Sequence, residues 1–347
     1  MNDTPSLLSV KGLKKYFPVS GGLLKKRRYL RANENIDLEI KAGETFSVVG
    51  ESGSGKSTLG KTLLGLYKPT AGQVIYRTDE KEIDLTKLKK EEMRRLRSDL
   101  QIVFQDPYSS LNPKMTVGQI IEEGVATHGY YKKGSRQMRE YVQEILQKCG
   151  LQKETLHRYP HQFSGGQRQR VGIARALAVK PKFVVCDECV SALDASVQSQ
   201  ILNLLSELKE KENLTYLFIS HDLSVVRHVS DSLAVMYLGN IVERGEAKRV
   251  FSEPRHPYTL ALISAAPKIG ERQEKEGIIL RGNIPSPVSP PSGCKFHTRC
   301  FMAQEICKRV PAPLVEVEKG HFVSCHFAEK TAEEKREIAW KYGENRK

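Results

Sequence analysis

The stretch GESGSGKST, residues Gly50 to Thr58, has the residue types and spacing of a phosphate cradle. Gly50, Gly53 and Gly55 let the backbone wrap closely, so that successive N–H groups can point inward at anionic oxygens. Ser52 and Ser54 share that loop. Lys56 supplies a cation for the outer phosphates, Ser57 offers a hydroxyl to Mg²⁺, and Thr58 continues a helix whose positive end adds to the anion site. A second chemical element closes FVVCDE: Asp187 can hold the Mg²⁺ shell, and Glu188 can polarise an attacking water. Without the cradle, such an Asp-Glu pair would read as turn or capping chemistry. A third lies in HQFSGGQRQRVGIARAL (161–177), where Ser164, Gly165, Gly166 and Gln167 open a helix and form another helix-end anion site. Standing alone, SGG would read as a glycine turn at a helix cap.

The elements that must position these groups are legible as periodicity. TFSVVG (45–50), LQIVFQ (100–105), FVVC (183–186), LTYLFIS (214–220) and SLAVMY (232–237) are continuous apolar runs of strand length. Such runs suit strands buried on both faces of a parallel sheet. Val197, Ile201, Leu204, Leu205 and Leu208 repeat at helical spacing between them. The alternation predicts an α/β core. Strand, glycine loop and helix start in immediate succession are the context that makes Gly50–Thr58 a P-loop.

The cradle, LQIVFQ, the SGGQ helix, the Asp-Glu strand end, SALD (191–194) and ISHD (219–222) occur in one order, and that ordered set resembles the ATP-binding-cassette (ABC) ATPases. The resemblance implies an α/β P-loop ATPase: a RecA-like parallel-sheet core, an antiparallel β subdomain and a helical subdomain. It implies ATP hydrolysis with Mg²⁺ held by Ser57, Gln105 and Asp187, and with Glu188 as general base. Gln105 would also touch the attacking water, and His221 would be the switch histidine at the γ-phosphate. Ser164, Gly165, Gly166 and Gln167 would reach across a dimer to the other subunit's nucleotide, with Asp194 linking the two sites. Phe163 replaces the usual Leu of the signature, and Cys189 stands where Pro usually follows the general base. Tyr16, in LKKYFPV, is the candidate adenine platform, since a flat aromatic can stack on the base; the alternative is a strand-edge tyrosine.

After Val250 the character changes. FSEPRHPYTLALISAAP (251–267) reads as a proline-bounded loop and a short amphipathic helix, and RGNIPSPVSPPSGC (281–294) cannot be helical. These segments resemble the C-terminal extension of ABC importers for dipeptides, oligopeptides and nickel, and YFPVSGG resembles the second of their paired ATPase subunits. Cys294, Cys300, Cys307 and Cys325 follow at separations of five, six and seventeen residues, with no C-x-x-C knuckle. Four thiolates can hold an iron–sulfur cluster; zinc and metal-free buried thiols are the alternatives. The resemblance favours a [4Fe–4S] cluster, with His297, His321 and His326 as outer-shell or surface groups. The expected division is an ATP-binding core (1–105 and 182–250), a helical and signature subdomain (106–181), the Cys-rich extension (251–328) and a charged tail (329–347) read as an exposed helix.

At 347 residues, 39% hydrophobic and 28% charged, the chain fits a soluble protein of about two domains. MNDTPSLLSV lacks signal-peptide features and no apolar run is long enough to span a bilayer, so the expected location is peripheral, at the cytoplasmic face of the membrane. Its net charge of +14 is spread over separated clusters, LLKKRRYLR (23–31) and LKKEEMRRLR (88–97), which read as solvated faces rather than a nucleic-acid surface. The implied partners are a homologous ATPase subunit in a heterodimer, two transmembrane permease subunits and, indirectly, an extracytoplasmic peptide-binding protein, with no nucleic acid. Three other readings are nickel or small-solute import, a soluble ABC-type ATPase acting on nucleic acid or ribosomes, and a zinc-bearing adaptor.

Overall fold

The computed structural model describes residues 5–19, 27–266 and 277–344. Part of the basic run at 23–31, the SGG of YFPVSGG and the last three residues lie outside the described residues. The chain begins with β1 (Ser6–Val19), β2 (Arg28–Lys41), β3 (Thr45–Val49), α1 (Lys56–Leu63), β4 (Ala71–Arg77) and β5 (Glu82–Asp84). It continues with α2 (Lys90–Leu96), β6 (Leu100–Val103), α3 (Pro107–Ser110), α4 (Val117–Thr127), α5 (Arg136–Lys148), α6 (Gly165–Leu177), β7 (Phe183–Asp187), α7 (Ala195–Glu212) and β8 (Thr215–Ile219). It closes with α8 (Leu223–Val229), β9 (Ser232–Tyr237), β10 (Asn240–Glu246), α9 (Ala247–Ser252), α10 (Pro257–Ala265), α11 (Glu305–Arg309), β11 (Val315–Glu318), β12 (His321–Val323) and α12 (Ala332–Glu344). Two compact units result, one mainly from Lys41–Thr45 and Lys87–Ile219, the other from Ser6–Ile40, Phe46–Thr86 and Ser220–Lys347.

The first unit holds β8, β7 and β6 in parallel. Every residue of β7 and β8 is buried, as expected for strands covered on both faces. The register aligns Val103 with Cys186 and Asp187 with Ile219. The residues just past β6 and β7 therefore emerge side by side at the carboxyl end of the sheet, where open α/β sheets place their ligands. α4 and α5 carry capping side chains at their starts (Thr116 and Ser135), and α7 buries Ile201, Leu204, Leu205 and Leu208.

In the second unit β2, β1, β4 and β5 form one sheet in that order, with β4 antiparallel to both β1 and β5, and β3 pairs in parallel with β9. β9, β10, β12 and β11 continue in antiparallel fashion. All five runs read as strands from the sequence are strands. α10 is buried nearly all round (Tyr258, Thr259, Leu260, Ala261 and Ile263), so it is a core helix rather than the amphipathic one expected. The tail also differs from expectation. Ala332 and Ala339 of α12 pack with Leu260, Phe301 and Met302, and Lys335 is fully buried, its Nζ donating to the carbonyls of Arg255 and Lys330 at 2.6 and 2.7 Å. Small residues at helical spacing form this seam, which the dense charges around them conceal in the sequence. No described helix is long and apolar enough to cross a membrane.

Candidate functional site

In the second unit, β3 feeds directly into the loop Gly50–Gly55 and then α1. Gly50 has φ +148°, and a Cβ there would sit 2.2 Å from the Met236 carbonyl of β9. Gly55 has φ +105°, and its Cβ would sit 2.1 Å from the Ala32 carbonyl. At both positions neighbouring backbone excludes any side chain, which is what a cradle of backbone N–H groups requires. The Asn33 side chain donates to the Gly55 carbonyl at 3.1 Å. Ser54 is 4% exposed, and its Oγ is buried with no hydrogen-bond partner among the described residues. An orphaned hydroxyl inside such a loop suits an absent phosphate oxygen. Lys56 is 5% exposed and its Nζ donates to the carbonyls of Gly50 and Glu51 at 2.8 and 3.1 Å, an ammonium held within the loop. Ser57 and Thr58 are half-buried in the first turn of α1, while Ser52 and Gly53 are exposed. The loop fits a nucleotide phosphate chain.

His221 is exposed between β8 and α8, and with Gly50 and Glu51 it lines one cavity, together with Asp222, Ser224 and Leu262. Tyr16 lies on β1 with its hydroxyl donating to Glu34 at 2.6 Å. Burial and that carboxylate push the Tyr16 hydroxyl up to about 12, so it stays protonated and its half-buried ring is anchored at one edge.

The first unit carries the carboxylates. Asp187 ends β7, 5% exposed. Glu188 follows with φ +49°, a left-handed conformation costly for a side chain with a Cβ, and its N–H donates to the Ile219 carbonyl at 2.9 Å. The turn exposes part of the carboxylate, and Gln105, two residues beyond β6, donates its Nε2 to Glu188 Oε2 at 2.9 Å. Ser164 is the exposed N-cap of α6. Its Oγ accepts from the Gln167 N–H at 3.3 Å, and Gln167 Oε1 accepts from the Ser164 N–H at 3.1 Å, a reciprocal capping box. Gly166 has no room for a Cβ, which would meet Val197 Cγ1 at 2.3 Å. Asp194 caps α7, accepting from the Val197 N–H at 3.0 Å. Cys189 is buried and shares a thiol hydrogen bond with buried Cys186, which marks it as a packed residue rather than an exposed nucleophile.

All seven cysteines are free. Cys294, Cys300, Cys307 and Cys325 line one small cavity of about 10 Å³, alongside His256, His297 and His326. Burial pushes the Cys294 and Cys300 thiols up, and Cys325 up to about 11. Among the described residues no group of three or more His, Cys, Asp or Glu side chains is placed to hold a metal ion. His321, read as an outer-shell or surface group, is instead 1% exposed and bonded through Nε2 to the buried Glu243 at 2.8 Å.

Sequence reasoning passed over Asn33, Tyr258 and Arg299. Asn33 is legible only as a polar residue in an otherwise alternating strand. The other two contact the phosphate loop through Glu51 and carry no local signal.

Residues 33–191 match the family model of the ABC transporter, and residues 242–307 match the oligopeptide/dipeptide transporter C-terminal region. The chain is 47% identical over 326 residues to the oligopeptide transport ATP-binding protein AppF of Bacillus subtilis, covering 93% of this chain and 97% of that one. It is 48% identical over 322 residues to the probable peptide ABC transporter ATP-binding protein y4tS of Sinorhizobium fredii, covering 92% and 90%. Among solved structures, the dimeric post-hydrolysis ATP-binding cassette MJ0796 bound to ADP and Pi superposes with a TM-score of 0.60 at 30% identity, covering 69% of this chain and 98% of that one. The cassette cbiO1 of the Clostridium perfringens cbiONQ transporter superposes with a TM-score of 0.59 at 29% identity, covering 71% and 91%.

Proposed function

The chain belongs to the ABC transporter ATPases of the oligopeptide-importer type, and from that premise we propose how its residues drive import. It is the ATP-binding, ATP-hydrolysing subunit of a peptide importer, working as a dimer with membrane permease partners. The relatives are named for peptides, and the nickel, nucleic-acid and adaptor readings are set aside.

One observation carries the assignment of roles: the Gln105–Glu188 hydrogen bond at the ends of two adjacent parallel strands. Glu188 takes the proton of the attacking water, and Gln105 orients the carboxylate and reports the state of the permease. Gly50–Thr58 hold the phosphates, with Lys56 balancing their charge. Ser57, Gln105 and Asp187 would hold Mg²⁺, which when bound neutralises developing charge on the phosphates. His221 senses the γ-phosphate and Tyr16 supports the adenine. Ser164, Gly165, Gly166 and Gln167 face the nucleotide of a paired subunit, and Asp194 connects the two sites. ATP thereby joins two chains, and its hydrolysis releases them.

The finer readings are a heterodimer with a homologous ATPase, a peptide-binding protein outside the membrane, attachment at the cytoplasmic face, and the division into core, helical subdomain, extension and tail. An iron–sulfur cluster on Cys294, Cys300, Cys307 and Cys325 belongs with them. What supports it is that four separated cysteines line a single cavity. When bound, such a cluster would cross-link the extension. Reconstitution with permease and paired ATPase tests the function as a whole. ATP hydrolysis stimulated by peptide-loaded binding protein is expected, and stimulation by a metal chelate alone would reject the peptide assignment.

A further inference from the structure

The phosphate loop is gripped from outside its own motif. Glu51 donates its backbone N–H to the Tyr258 hydroxyl at 2.9 Å. Its carboxylate accepts from both terminal nitrogens of Arg299, at 2.7 and 3.0 Å. Two parallel charge-assisted bonds fix orientation as well as distance. The Arg299 side chain is 7% exposed against 27% for Glu51, so the pair is sheltered on the arginine side. Tyr258 is fully buried on α10, and its ring packs with those of Tyr237 and Phe296 at centroid distances of 4.8 and 5.4 Å. The partners of Glu51 are thus anchored in a dense aromatic core rather than on a surface loop.

Two consequences reach the phosphates. The Glu51 N–H is used by Tyr258, so the cradle's donors must come from the residues after it. Lys56, the cation of the loop, rests its Nζ on the carbonyls of Gly50 and Glu51. Whatever fixes Glu51 therefore fixes the platform of Lys56. Glu51 itself is neither a proton carrier nor a phosphate ligand in the proposed chemistry, and a paired carboxylate there has no role in the hydrolysis just described.

We propose that Arg299 and Tyr258, contributed by the C-terminal region, are positioning residues for nucleotide binding that act through Glu51. The oligopeptide-type extension is then part of the nucleotide site, not an appendage to it. This inference rests on the ATP-binding reading and deepens it. Arg299 directly precedes Cys300, so the grip on the loop starts at the rim of the cysteine cavity.

The test is a double-mutant cycle on the full chain, read by equilibrium binding of a fluorescent Mg²⁺–ATP analogue. Arg299→Ala and Glu51→Ala are each expected to raise Kd about tenfold, within the usual range for coupled sites. The double variant should be no worse than either single one, and the reversed pair Glu51→Arg with Arg299→Glu should recover part of the affinity. Arg299→Lys keeps the charge but loses the two-pronged grip. It should show the same direction with an unchanged far-ultraviolet spectrum, which guards against a folding defect. In steady-state hydrolysis the variants should raise KM more than they lower kcat. Unchanged Kd in the Arg299 variants, or single effects that simply add in the double variant, would overturn the proposal. A wild-type chain that fails to bind the analogue would instead remove the ATP-binding reading beneath it.

Discussion

Gln105 donates its side-chain amide to Glu188 at 2.9 Å because the parallel register of β6 and β7 sets Val103 opposite Cys186, and each residue lies two positions beyond that pair. The left-handed backbone at Glu188 turns its carboxylate out of the sheet toward that amide. The proposed general base is therefore oriented by main-chain geometry.

Replacing that base separates binding from chemistry. Glu188→Gln preserves shape and removes the proton acceptor, so phosphate release should fall about 10²–10⁴-fold while nucleotide affinity is retained. Gln105→Ala should lower hydrolysis less, because the base remains. A phosphate-release assay beside equilibrium nucleotide binding measures both, and equal rates for wild type and Glu188→Gln would remove Glu188 from the role.

The cradle should be intolerant of a single methyl group. Gly55→Ala drives a Cβ against the Ala32 carbonyl and demands an unfavourable φ, a strain of about 1–3 kcal/mol before the loop shifts. Thermal unfolding should show a lower midpoint and binding assays a loss of nucleotide affinity. Gly53→Ala also takes a positive φ, +77°, but nothing lies within 4 Å of the added Cβ, so it should keep more of both.

How much of this the sequence disclosed depended on whether the information was local. Gly50–Thr58 is a change of periodicity from strand to loop to helix, and β3, β6, β7, β8 and β9 are uniform apolar runs, so each was legible from its own residues. β11 and β12 were not, since Val315–Glu318 is half acidic and is a strand only because β12 and β10 offer partners. Lys335 read as a surface charge, yet Arg255 and Lys330 supply carbonyls that make its burial tolerable. The Glu51–Arg299 pair spans most of the chain, and no window of sequence contains both members.

Ser164 has two separable tasks, capping α6 and presenting a hydroxyl outward. Ser164→Ala should lose the cap, at about 1 kcal/mol, together with any contact to a partner's nucleotide. Ser164→Asp keeps a capping oxygen but adds negative charge. Its thermal midpoint should stay near wild type while ATP-dependent dimerisation, followed by size-exclusion chromatography, is lost. Dimerisation of Ser164→Asp at wild-type ATP concentrations would count against the signature role.

The Tyr16–Glu34 contact predicts an acid-side effect. Burial opposes ionisation of Glu34, but the Tyr16 hydroxyl and Lys14 outweigh it and hold the carboxyl below its ordinary 4.5. A carboxyl lowered in the folded state contributes stability above its unfolded value and loses that contribution as pH falls through the folded one. The difference in melting midpoint between wild type and Glu34→Gln should be widest near neutrality and should shrink as pH falls below 4.5 and through the folded carboxyl's lowered value. A difference that grows on acidification would refute the assignment.

The cysteine cavity makes a prediction about content. Protein purified without oxygen should carry about four iron and four sulfide per chain, and Cys300→Ser should lose them together with the visible absorption. One zinc and no sulfide would replace the cluster with a mononuclear site. Neither metal nor sulfide would leave four free thiols, buried Cys307 and half-buried Cys294, Cys300 and Cys325, whose role is packing.

The separation of Glu51 from Arg299 also bears on synthesis. The two residues are 248 positions apart, so at about 5–20 residues per second the phosphate loop leaves the ribosome roughly 10–50 s before its clamp is made. Tyr258 arrives before Arg299, and the aromatic core that seats them waits for Phe296. A nascent chain therefore carries a complete P-loop motif without its two outside contacts. A product truncated before Arg299 keeps every residue of GESGSGKST and lacks the clamp, so translation order itself delays the finished nucleotide site until the C-terminal region has emerged.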